Sequence, residues 1–255
     1  MATYKKRGYK PKTKKEKEEI LEENSTTAEV FNTLDESASK TEEWVVKNQN
    51  YIVGVIGLIA ARVVGYMAYG KYIAEPKQQE AMNDLYPAQK YYKEAQANIA
   101  LSDSLYQLAI DGGDGKYGFN DIIENYSGTP AANLAHFYAG IASLNLKKYK
   151  PAIEYLENFS SDDKMVSATA FGAIGDAFAQ LEQEDKAIPY YEKAANTNKN
   201  EFNTPFYLMK AAILSISLND NAKALEYLTT IKDNYPDSEE GKKVDAYIGR
   251  VEAAL

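Results

Sequence analysis

Small residues recur through the second half of the chain at a spacing that leaves few folds open. Ala152, Ala187 and Ala224 stand 35 and 37 residues apart, and Gly140, Gly175 and Ala212 precede them at the same intervals. A fixed period in this range marks a stack of supersecondary units rather than one layered core. Three segments align on it: NLAHFYAGIASLNLKKYKPAIEYLENF from Asn133 to Phe159, ATAFGAIGDAFAQLEQEDKAIPYYEKAANTN from Ala168 to Asn198, and PFYLMKAAILSISLNDNAKALEYLTTIKDNYP from Pro205 to Pro236. Each reads as two helices joined by a polar stretch: Asn145-Leu146-Lys147-Lys148, Glu182-Gln183-Glu184-Asp185 and Asn219-Asp220-Asn221. The small residues are expected where the two axes of a pair approach most closely. Leu156, Tyr191 and Leu228 follow each alanine by one helical turn, on the same face. Pro236 stands where the last helix must end.

This pattern resembles the tetratricopeptide repeat. The middle unit matches that consensus at Phe171, Gly175, Phe178, Ala187, Tyr191 and Ala194, whereas Ser143 and Ser215 replace the central aromatic of the outer two. The resemblance implies an all-α solenoid of antiparallel helix pairs, with stacking supplying the core. Three repeats are expected over residues 131–236. Irregular helices are expected over 73–130, at about 77–98, 101–110 and 118–126, with Tyr86, Tyr91 and Tyr92 as aromatic packing. A capping helix is expected within 237–255, over 238–253. The run Asp111-Gly112-Gly113-Asp114-Gly115 lacks the alternating oxygen ligands of a calcium loop and reads as a turn.

Upstream, Tyr51 to Gly70 reads YIVGVIGLIAARVVGYMAYG, apolar or small at every position but one. A helix of that length spans the roughly 30 Å hydrocarbon core of a bilayer. The expected arrangement is one transmembrane helix over 51–72, a juxtamembrane segment over 28–50, partly an amphipathic helix, and a disordered basic tail over 1–27. Eight of the first 17 residues are Lys or Arg, against Glu16 alone. The positive-inside rule keeps such a tail in the cytoplasm and sends the repeats across the membrane. The apolar run is longer than a signal-peptide core and reads as an uncleaved anchor. Arg62 is the exception within it, at a cost of about 2.5–3.5 kcal/mol near mid-membrane. It either snorkels to the interface or faces a polar surface of another membrane protein.

Chemistry-bearing residues are sparse. There is no cysteine, which excludes disulfides, thiolate metal sites and a cysteine nucleophile and disfavours a lipid-modified N-terminus. His136 is the only histidine, at a packed repeat position. No phosphate loop, nucleophile elbow or dinucleotide fingerprint is present. No enzyme activity, metal or cofactor is expected. From Lys71 onward 27 acidic residues outweigh 18 basic ones, which argues against nucleic acid as partner of the repeats.

Binding is therefore expected from the face lined by the first helix of each repeat. The variety of repeat that grips a C-terminal carboxylate needs polar and basic residues where this chain has Phe137, Gly172 and Met209. The candidate protein-binding residues are instead Phe137, Ile141, Leu144, Phe206, Met209 and Ile213, which either line an apolar groove or contact the neighbouring repeat. Basic tail, single anchor and repeat domain together resemble the ancillary translocon subunits of the YfgM type. That resemblance implies a protein of the bacterial inner membrane with its repeats in the periplasm. It also implies association with the SecYEG channel and a PpiD-like anchored chaperone, and assistance to newly translocated proteins. The alternative is a structural adaptor of an envelope machine, such as Tol-Pal or cell division, of the YbgF kind.

Overall fold

The computed structural model describes residues 13–254, and of residues 15–40 the backbone alone. Two compact units divide at Gly70 and Lys71. No strand occurs among the described residues; Gly113 and Lys116 form one isolated antiparallel bridge.

The first unit contains α1 (Lys14–Tyr69). The helix begins at Lys14, inside the stretch up to residue 27 that is expected to be a disordered tail. Residues 14–24 contain neither Gly nor Pro and are dominated by Lys, Glu, Leu and Ile, good helix formers that outweigh low hydrophobicity. The remainder of the expected tail, residues 1–12, lies outside the described residues. The helical stretch Thr41–Ala97 is long and apolar enough to cross a membrane. Its most apolar 18-residue window has a mean hydropathy of 1.8, with none of it buried inside the structure.

The second unit begins within a π-helical turn, Gly70–Ala74, and contains a succession of ten α-helices among the described residues. These are α2 (Glu75–Ala97), α3 (Ser102–Asp111), α4 (Phe119–Asn125), α5 (Pro130–Asn145), α6 (Tyr149–Glu157), α7 (Lys164–Gln180), α8 (Glu184–Thr197), α9 (Asn203–Ser217), α10 (Asn221–Asn234) and α11 (Val244–Glu252). Helices α2 to α5 share a core centred on Tyr92, whose ring meets Tyr106, Phe119 and Tyr138 edge-on at 5.5, 6.3 and 5.0 Å. Tyr91 hydrogen-bonds Asp114 at 3.3 Å, whereas Tyr86 points to solvent and takes no part in the packing expected of it. The turn after α3 needs its glycine: Gly112 has φ +83°, and a Cβ there would abut the Lys116 carbonyl at 2.5 Å.

The three helix pairs α5/α6, α7/α8 and α9/α10 turn in the same way. Lys147, Glu182 and Asn219 adopt left-handed φ values of 60°, 55° and 59°. The following amides of Lys148, Gln183 and Asp220 donate to the carbonyls of Ser143, Phe178 and Ser215 at 2.8, 3.0 and 2.9 Å. Each is a Schellman closure that satisfies carbonyls the helix end would otherwise orphan. The glycines then let the paired helices close. A Cβ on Gly140 would come within 2.5 Å of Leu156, and one on Gly175 within 2.7 Å of Tyr191. The partner at each crossing is thus chiefly the large residue one turn beyond the alanine, with Ala152 contributing its carbonyl at 3.3 Å to Gly140.

The capping helix α11 starts at Val244, later than the expected residue 238, after a 3-10 turn over Gly241–Lys243. The cause is Ser238, a buried hydroxyl that donates to the Tyr235 carbonyl and accepts from the Gly241 amide, so residues 235–241 form a turn. Val244 and Val251, each 1% exposed, seat α11 on the last pair.

Candidate protein-binding face

Stacking of the repeats decides which side chains a partner can reach. Phe137, Ile141 and Leu144 are half-buried and pack on the core between the first and second pairs, beside Ile153, Leu156 and Ile174. Phe137 also meets Phe159 with ring centroids 5.0 Å apart. Met209, expected on the binding face, is 8% exposed and belongs to the core of α8 to α11. Of the six candidates, Phe206 and Ile213 open to solvent, each 42% exposed. Gly172, at the position of Phe137 and Met209, is filled by the ring of Tyr207 from the next repeat.

A cleft of 510 Å³ lies on the side of the first helices, with Leu144, Ala179, Asp176, Tyr191 and Lys210 in its wall. Asp176 accepts from the Tyr191 hydroxyl at 2.7 Å and from Lys210 Nζ at 2.6 Å. Lys210 in turn covers the Phe206 ring at 4.7 Å and the Tyr191 ring at 5.5 Å. Burial, then the hydrogen bond to Asp176, pushes the Tyr191 hydroxyl far above the ordinary tyrosine range, so it stays a donor. The cleft therefore presents a half-exposed ion pair set among aromatic and aliphatic surface, suited to a peptide with both polar and apolar groups. Asp176 and Lys210 escaped sequence reasoning because charges on repeat helices usually face solvent; their spacing of one period was the available signal.

A second polar system ties the repeats together along their second helices. Tyr155, Tyr190 and Tyr227 occupy one register, and their hydroxyls donate to Asn120 at 2.6 Å, Glu157 at 2.7 Å and Glu192 at 2.5 Å. Each bond reaches back to an earlier helix. Burial followed by the carboxylate partner pushes Tyr190 and Tyr227 up to about 12. Burial raises Tyr155 as well.

Two models described as tetratricopeptide repeat match the chain, one at residues 168–201 and one at 207–238. The chain carries tetratricopeptide repeats. The pair α5/α6 repeats their turn and glycine contact, so the tetratricopeptide geometry extends upstream of the matched residues. No curated protein matches the chain. Among solved structures similar to it is a MamA RS-1 ArsTM double mutant, 20% identical over 72% of this chain and 92% of that one, with a TM-score of 0.44.

Such repeats serve as scaffolds for protein–protein interaction. Among the described residues no three His, Asp or Glu side chains are grouped so as to hold a metal ion. His136 Nδ1 is buried with no hydrogen-bond partner among the described residues, and burial holds the imidazole below its usual pKa. Arg62 is exposed on α1.

Proposed function

We propose that the chain is a single-pass membrane protein whose tetratricopeptide repeats bind a segment of another protein through the cleft at Asp176 and Lys210. The observation that carries this reading is the cleft itself: an open 510 Å³ space beside the first helices, with an ion pair and aromatic rings in its wall. A helix long and apolar enough to cross a membrane precedes the repeats, and a tail with eight basic residues precedes that helix. On the positive-inside rule the tail stays in the cytoplasm and the repeats face the periplasm. The partners that suit this arrangement are the SecYEG channel and an anchored PpiD-like chaperone, with newly translocated proteins as clients.

Purification of the tagged full-length chain in mild detergent, with identification of the copurifying proteins, tests the proposal. Recovery of SecY together with an anchored periplasmic chaperone is expected. Recovery of Pal or division proteins in place of SecY overturns it in favour of an envelope adaptor.

A further inference from the structure

We infer that a second cleft, where the third repeat begins, receives a lysine- or arginine-bearing peptide segment of a partner protein. This rests on the reading of the repeats as a protein-binding scaffold but not on the translocon assignment. The cleft measures 700 Å³ and is lined by Glu201, Phe202, Phe206, Asp237, Glu239 and Glu240, among others.

Phe202 is 83% exposed and, with Phe206, gives the cleft an aromatic wall. The segment around it is held firmly. Asn200 Oδ1 accepts from the amides of Phe202 and Asn203, each at 2.8 Å. The Asn200 amide donates to Thr204 Oγ1 at 3.1 Å, and that buried hydroxyl donates to the Ala195 carbonyl at 3.1 Å. The opposite wall is equally fixed, because Ser238 bridges the Tyr235 carbonyl and the Gly241 amide at 2.8 and 2.9 Å. A Cβ at Gly241 would overlap the Tyr235 carbonyl, so this turn is built around glycine. Both rims of the cleft are thus preorganised, which lowers the ordering cost of binding.

Charge selects the occupant. Four carboxylates line the cleft, and Lys242 neutralises Glu239 at 2.8 Å. Lys242 also lies within electrostatic reach of Asp237, but Glu201, Asp237 and Glu240 form no ion pair within 4.0 Å among the described residues. The protein's own treatment of its rings supplies the second cue. Lys193 lies over Phe171 and Lys186 over Phe178, both at 5.7 Å, and Lys210 lies over Phe206 at 4.7 Å. Phe202 carries no such cation among the described residues. An incoming lysine or arginine would lay its stem on the Phe202 ring and deliver its charge to the carboxylates. A purely apolar helix would instead desolvate those carboxylates without compensation, and an acidic segment would be repelled.

The test is fluorescence anisotropy of a short labelled peptide of alternating lysine and leucine, titrated with the full-length chain in neutral detergent. Phe202→Ala, and separately Asp237→Asn combined with Glu240→Gln, are each expected to weaken binding about tenfold. Glu154→Gln combined with Glu226→Gln removes the same charge elsewhere and is expected to change binding by less than about twofold. Far-UV circular dichroism of every variant confirms retained helix. Unchanged binding by Phe202→Ala overturns the inference, as does equal weakening by the control pair, which would reduce the effect to overall charge. Tighter binding of a peptide comprising residues 1–17 would make this chain's own tail the occupant and overturn the assignment to a partner. SecY copurification can succeed while peptide binding fails, so the two readings fall separately.

Discussion

The hydroxyl of Tyr227 donates to Glu192 Oε1 at 2.5 Å across the boundary between the second and third repeats, and Lys223 Nζ reaches the same oxygen at 3.2 Å. The tyrosine is 6% exposed, so its hydroxyl has little water to turn to. Tyr227→Phe keeps the ring and removes the donor. It is expected to cost about 1–2 kcal/mol, the scale of a hydrogen bond to a partly solvated charge. Urea unfolding followed by circular dichroism measures it; no change in midpoint would show the bond to be incidental.

The same ladder predicts alkaline behaviour. Tyr190 and Tyr227 are pushed up to about 12 in the folded protein, against about 10 for an unfolded tyrosine. The unfolded hydroxyls therefore ionise first, and raising the pH favours the unfolded state. Their contribution is complete below about pH 10 and lost progressively between about 10 and 12. Stability measured against pH is expected to fall less steeply across that window in Tyr227→Phe.

Glu182 occupies the left-handed turn of the second repeat with φ 55°, a conformation that costs an L-residue about 1–2 kcal/mol. Glycine escapes that cost but brings more unfolded-state entropy, so Glu182→Gly is expected to stabilise by a net ~0.5–1 kcal/mol. Glu182→Val, with a branched Cβ in the same turn, is expected to lower the melting temperature. Opposite signs for the two variants in thermal unfolding are the signature.

Gly172 admits the ring of Tyr207 between the first helices of the second and third repeats. Gly172→Ala forces the ring outward and is expected to destabilise by about 1–3 kcal/mol, as overpacking does. Adding Tyr207→Leu vacates the space the new methyl needs. A double variant that recovers none of the loss would place the cause elsewhere.

Arg62 is exposed on α1, within the apolar run Tyr51–Gly70. If it faces a polar surface of a membrane partner, Arg62→Leu reduces recovery of that partner in mild-detergent purification. Unchanged recovery would leave snorkelling as its role.

Periodicity alone located the three helix pairs, because contacts within a pair depend on residues a fixed distance apart along one short stretch. Gly140 and Gly175 could be assigned to helix crossings from their 35-residue interval, and the structure places Leu156 and Tyr191 against them. Apolar length likewise marked a stretch able to cross a membrane. Exposure was a different matter. Phe206 and Met209 lie three residues apart on α9, yet one opens to solvent and the other is buried among α8 to α11. Which of them a partner meets depends on the angle at which one repeat settles on the next, and no local pattern encodes that angle. The pairing of Lys210 with Asp176 and of Tyr227 with Glu192 has the same origin, since each joins residues about one period apart that only stacking makes neighbours.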